Sequence, residues 1–209
     1  MDATQDNSIW QNFVDGDIAA LNILMEKYFR FLFNYGTKIC KNEELVKDTV
    51  QELFIKLWNR KAHLSREVNI KAYLITSLRR SLYRKIQSLE KFERFTDYDN
   101  ELLPFDLEIS VEQKFINNEF NKLLALKLAK HTQLLPKRQK EVLYLKFMQN
   151  LSREEIAQVM DISLQTVSNI CQMALKNLRD QLQKNNHSKN YFYSITPLLP
   201  ILMEFFINQ

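Results

Sequence analysis

Residues Ser152–Leu182, SREEIAQVMDISLQTVSNICQMALKNLRDQL, decide how the chain is read. Glu155 follows Ser152 at the spacing of a capping box. The Ser hydroxyl accepts from the amide of Glu155 while the Glu carboxylate reaches back to the amide of Ser152, and a helix starts there. Its apolar residues Ile156, Ala157 and Met160 share one face. Asp161 falls where the chain must leave, and Asp tolerates a left-handed exit because its short side chain hydrogen-bonds locally. Ser163 is placed to cap a second helix with Val167, Cys171, Ala174, Leu178 and Leu182 on a buried stripe. The opposite face carries Gln165, Thr166, Ser168, Asn169, Gln172, Lys176 and Arg179. Two helices joined by a tight turn, the second longer and polar outside, form the helix-turn-helix that lays a recognition helix in a DNA major groove. Asn and Gln can pair bidentately with adenine, and Lys176 and Arg179 can hold phosphates. A plain helical hairpin with a solvated face is the alternative that so short a pattern leaves open.

The rest of the 209-residue chain points to the same class. Gly occurs only at positions 16 and 36 and Pro four times, too few turn-formers for a sandwich or barrel. The expectation is an all-α protein of two small helical domains joined by an acidic linker, the C-terminal one containing the helix-turn-helix. Cys40 and Cys171 sit in apolar helical stripes and read as buried thiols of a reducing, cytoplasmic protein. His63, His131 and His187 are scattered without ligand spacing, so neither metal nor cofactor is expected. No paired carboxylate, nucleophile with a base or phosphate loop supports catalysis or a small-molecule substrate. MDATQDNSIW has neither the basic nor the apolar region of a secretion signal.

Charge is distributed in blocks. Residues 60–95 hold ten Lys/Arg against three Asp/Glu, residues 96–120 one against seven, and residues 121–184 eleven against five. Two basic modules around an acidic spacer fit two surfaces that face nucleic acid. Upstream, Ile18, Leu21, Met25, Tyr28, Leu32, Tyr35 and Ile39 predict a long core helix from about Asp17, with Gly36 marking close approach to a neighbour. After Asn42, EELVKDTVQELFIKLWNR buries Val46, Val50, Leu53, Phe54, Leu57 and Trp58. Its outer face shows Asp48, Gln51, Glu52, Ile55 and Asn59, an acidic and amide surface around an apolar centre that suits a protein partner. A third helix, from about Ile70 to Phe92, buries Ile70, Leu74, Leu78, Leu82, Ile86 and Leu89. Across from that stripe stand Arg80, Arg84, Gln87 and Lys91, flanked by Lys71, Arg79 and Lys85, with Tyr73 and Tyr83 interleaved. Cations there would hold a phosphate backbone, and aromatics among them can stack on unpaired bases. Residues Thr96–Ser110 read as linker, a helix is expected from about Val111 to His131, and Pro136 is expected at the first position of the next. The apolar stretch Tyr191–Ile207 is too short and too Pro-broken to span a membrane. Its expected packing sites are, in order, the C-terminal module, the first module, a second copy of the chain and a bilayer surface.

DTVQELFIKLW, Asp48–Trp58, resembles the region-two signature of bacterial RNA polymerase sigma factors of the extracytoplasmic-function type, which consist of regions two and four. NIKAYLITSLRRSLYRKI resembles the region-two helix that follows, and LPKRQKEVLYLKFMQNLSREEIAQVMDISLQTVSNICQMALKNLRDQL resembles region four. The resemblance implies domains at 10–95 and 115–184, a linker at 96–114 and a tail at 185–209. It implies no catalysis. Core RNA polymerase would dock on Asp48, Gln51, Glu52 and Ile55. The melted −10 strand of promoter DNA would be read and held by the loop Asn59–Asn69 and the basic helix after it, with Arg79, Arg80, Tyr83, Arg84 and Lys91. The −35 duplex would be read by Gln165, Thr166, Ser168, Asn169, Gln172, Lys176 and Arg179. An anti-sigma factor is a further partner that the resemblance leaves open. The chain departs from relatives in having Ser168, Ile170, Met173, Leu175 and Asn177 where Lys and Arg are common, and Arg80 and Arg84 where an Asn and an Asp are common. Rival readings are a stand-alone helix-turn-helix regulator, which would have no use for the acidic face, and a sigma-like protein-interaction module with weakened DNA binding.

Overall fold

The computed structural model describes residues 3–93, 105–107 and 129–184, helical almost throughout and, among these residues, without a strand. Residues 96–104, most of the helix expected at 111–131 and the apolar tail lie outside them. The chain divides into two compact units, with the boundary in sequence between Pro104 and Phe105.

The first unit consists of α1 (Ala3–Val14), α2 (Ile18–Ile39), α3 (Glu43–Arg60), a 3₁₀ turn (Lys61–His63) and α4 (Ile70–Glu93). Asp17 caps α2 by accepting from the Ala19 amide at 2.8 Å, and Asn42 caps α3 by accepting from Leu45 at 3.0 Å. Each satisfies an amide that the helix itself leaves unpaired. The core is built from Leu24, Tyr28, Leu32, Tyr35 and Ile39 of α2, Val46, Val50, Leu53, Phe54 and Leu57 of α3, and Leu74, Ile75, Leu78 and Leu82 of α4. A Cβ on Gly36 would stand 2.5 Å from Cγ1 of Val46, so only hydrogen fits where α2 and α3 meet.

Helix α1 was not expected from the sequence, yet it supplies Trp10 and Phe13, both fully buried. Burying two such side chains contributes on the order of 2–3 kcal/mol each. Trp10 lies edge-on to Tyr73 of α4, and the Tyr28 hydroxyl of α2 donates to Asp6 at 2.9 Å. Lys27 pairs with the same carboxylate, so α1 is held by polar ties as well as by packing.

Several core assignments are corrected. Ile18 is 55 % exposed because it is the first residue of α2, and Leu89 is 57 % exposed. Burial along α4 falls away from Leu82 through the half-buried Ile86 to Leu89. Trp58 is only half-buried, with Lys61 Nζ 4.0 Å from its ring centre. Cys40 caps the end of α2 and is partly exposed, outside the helical stripe, whereas Cys171 is buried; both thiols are free.

In the second unit, helical residues 129–133 precede α5 (Lys137–Leu143), a π-helical turn (Tyr144–Met148), α6 (Arg153–Met160) and α7 (Leu164–Lys184). Pro136 precedes α5 as its N-cap rather than serving as its first residue. Helix α5 packs along α7, and Asn177 donates to Gln139 across that contact at 2.9 Å. Val142, Leu143 and Leu145 join Val167, Ala174 and Leu178 among the buried residues. Phe105 and Leu107 are buried as well, the Phe105 ring 5.6 Å from that of Tyr144. Burial pushes the Tyr144 hydroxyl and the Cys171 thiol above their ordinary pKa values.

Candidate nucleic-acid interface

Two faces of the first unit carry the candidate residues. On α3, Asp48 and Gln51 are exposed and Ile55 is 60 % exposed, an apolar side chain set among acidic and amide groups. Glu52 is different. Its carboxylate accepts from Lys85 of α4 at 2.7 Å and from Lys56 at 3.1 Å, and these bonds, Lys85 first, hold it below the usual carboxylate range. Glu52 therefore already braces α3 against α4 while standing on the face expected to meet a partner.

On α4, Arg80 and Arg84 are exposed, while Arg79 and Tyr83 are half-buried. Gln87 donates to the Tyr83 hydroxyl one turn on, which fixes that ring at the surface. Arg80, Tyr83 and Arg84 line a groove of about 470 Å³ with Arg60, Tyr73 and Ser77. Its mix of guanidinium groups, hydroxyls and ring faces suits an extended strand of unpaired bases with its phosphates. Lys91 falls within α4, but its side chain lies outside those described. Arg60 falls in the loop, and Tyr73 among the interleaved aromatics, that the sequence already pointed to, without either being singled out. Tyr73, Ser77, Arg80 and Arg84 share one stripe of α4, whereas Arg60 ends α3 and meets them only through tertiary packing.

That loop, residues 61–69, is held by α1. Trp10 Nε1 donates to the Ser65 carbonyl at 2.9 Å and Arg66 pairs with Asp15 just after α1, and Leu64 of the loop so held lines the groove. Asn69 closes it by accepting from the Ala72 amide at 2.9 Å, which starts α4.

In the second unit both halves of the capping box are present. Ser152 Oγ accepts from the Glu155 amide at 3.2 Å, and Glu155 accepts from the Ser152 amide at 2.6 Å. Asp161 leaves α6 in the left-handed region, φ 57° and ψ 50°. Ser163 accepts from the Thr166 amide at 3.1 Å and starts α7. The short turn between α6 and α7 is that of a helix-turn-helix. Gln165, Asn169, Gln172, Lys176 and Arg179 are exposed along α7, and Thr166 and Ser168 are half-buried beside them. Gln165 Nε2 donates to Asn169 Oδ1 at 2.9 Å. Arg153, at the start of α6, reaches Ser168 at 3.5 Å and had no place among the expected residues.

Fold and site together define a helical DNA-binding protein of two units, one of which also presents an apolar patch in acidic surroundings. Residues 24–92 match sigma-70 region 2 and residues 133–180 match sigma-70, region 4. These matches cover more than half of the chain, which belongs to the sigma-70 family, with the two-region organisation of the extracytoplasmic-function type. It is similar in fold to CnrH, solved in complex with the cytosolic domain of CnrY, at TM-score 0.56 and 18 % identity over 87 % of this chain and 99 % of that one. It is also similar to the sigma factor RpoE, solved in complex with the anti-sigma factor NepR from Bartonella quintana, at TM-score 0.52 and 16 % identity over 79 % and 98 %. No curated protein matches at a significant level. As a sigma factor the chain binds core RNA polymerase and promoter DNA and directs promoter recognition, in a family of transcription factors rather than enzymes. Among the described residues no helix is long and apolar enough to cross a membrane.

Proposed function

We propose that the two units divide promoter recognition, the first capturing the melted −10 strand and the second reading the −35 duplex, while the α3 face docks on core polymerase. The groove beside α4 carries the −10 assignment, because Arg80, Arg84 and Tyr83 converge there with the loop that α1 holds. A strand passing over it would lay phosphates on the guanidinium groups and bases against the rings, repaying the cost of unstacking. Lys91 extends the same helix. For docking, Ile55 would be buried against polymerase with Asp48 and Gln51 around it, and Glu52 at the edge. The protein acts in the cytoplasm, where core polymerase works. An anti-sigma factor is a proposed partner, since RpoE was solved with one.

The docking assignment is tested by Asp48→Lys combined with Ile55→Ser, which spares the ties of Glu52 to Lys56 and Lys85. The doubly substituted protein should keep its helical spectrum and lose core binding at least tenfold, measured by fluorescence anisotropy. Binding at wild-type affinity would remove this face from the interface.

A further inference from the structure

The first ten residues of α7, Leu164–Met173, contain no Lys or Arg. In a helix-turn-helix the N-terminal part of the second helix is what reaches base edges. The commonest specific contact to guanine, a bidentate Arg or Lys on O6 and N7, is therefore missing where bases are read. Arg153 lies at the start of α6, the helix that in this motif crosses the backbone and contacts phosphates, and it reaches Ser168 at 3.5 Å and pairs with Glu154. The exposed base-facing side chains are amides, Gln165, Asn169 and Gln172, with Met173, which is 56 % exposed.

Two of these amides are tied to each other without DNA. Gln165 Nε2 donates to Asn169 Oδ1 at 2.9 Å one helical turn away. A carbonyl oxygen has two acceptor sites, so Asn169 keeps one for the N6 amino group of adenine while its own amide nitrogen donates to N7. The bond to Gln165 fixes which end of the Asn169 amide faces each way. It also removes rotamer freedom that would otherwise be lost on binding. Met173, one turn further on, offers an apolar surface of the kind that suits a thymine methyl. We infer that Asn169, positioned by Gln165, reads adenine in the upstream duplex element, so that this protein selects A·T pairs there and makes no demand for guanine. This rests on the assignment of the second unit to the −35 element.

The test uses the full chain with core polymerase on a promoter library randomised through the upstream element, with run-off transcripts sequenced. The wild type should select A·T pairs, and replacing the adenine at the selected position by 7-deazaadenine, which lacks the N7 acceptor, should lower output roughly tenfold. Asn169→Ala should abolish discrimination at that position with start site and −10 preference unchanged. Gln165→Ala should weaken discrimination there without changing core affinity, as expected of a positioning residue. Selection of guanine, indifference to the upstream sequence, or an unchanged preference in Asn169→Ala would each overturn the inference. Selection confined to the −10 region by a wild type that initiates accurately would overturn it together with the −35 assignment.

Discussion

Asp161 turns the chain between α6 and α7 with a φ of 57°, a conformation that costs most side chains roughly 1–2 kcal/mol. Asp161→Gly should therefore leave stability within a few tenths of a kcal/mol or raise it, whereas Asp161→Val should lower it by about 1–2 kcal/mol, as read from urea unfolding. Equal effects of the two substitutions would mean that backbone conformation is not what selects the residue. At Gly36 the constraint is steric. Gly36→Ala would drive a methyl into Val46 and should destabilise by about 1–3 kcal/mol, and adding Val46→Ala should return part of that loss. Both positions could be read in the sequence, one because a capping box and a polar run bracket the turn, the other because a glycine inside an apolar helix calls for a close neighbour. Ile18 and Leu89 misled for a shared reason. Periodicity tells which side of a helix a residue lies on, and says nothing of whether another element reaches it.

Helix α3 runs Glu43–Arg60, the same bounds that the cap at Asn42 and the apolar stripe indicate. Helix α1 escaped notice because, of its twelve residues, Trp10 and Phe13 carry most of its buried bulk and the rest looks like a polar terminus. Its part in the groove is testable, since Trp10→Phe keeps the aromatic packing and removes the bond to Ser65. Transcription that depends on −10 capture should fall several-fold with core binding unchanged, and equal loss of both would tie Trp10 to folding alone. The brace between α3 and α4 was equally hidden, because sequence gives no partner for Glu52 beyond its own helix. Glu52 has its carboxyl held down by Lys85 and Lys56, so its contribution is present above the unfolded carboxylate pKa and lost as pH falls through the lower folded value. Half-exposed, it contributes modestly. Glu52→Gln should flatten that part of the acid limb of a melting-temperature profile, and an unaltered profile would mean the brace adds nothing.

Across the whole molecule, the two-unit helical organisation was legible because both motifs stand in order with a charge reversal between them. The burial of Phe105 and Leu107, inside the stretch that reads as acidic linker, was not, since two apolar residues among carboxylates give no periodic signal. The groove was legible only in part. Tyr73, Arg80, Tyr83 and Arg84 all follow from α4, while Arg60 joins them from the end of α3 through tertiary packing. On this reading the chain directs core polymerase to promoters through separate contacts of its two units. Run-off transcription with the purified chain and core polymerase, with start sites mapped, is the deciding measurement. A discrete start site is expected, and it should vanish when Arg80 and Arg84 are both replaced by Ala, with core binding retained. Initiation at the same site by that variant, or by core polymerase alone, would contradict the reading.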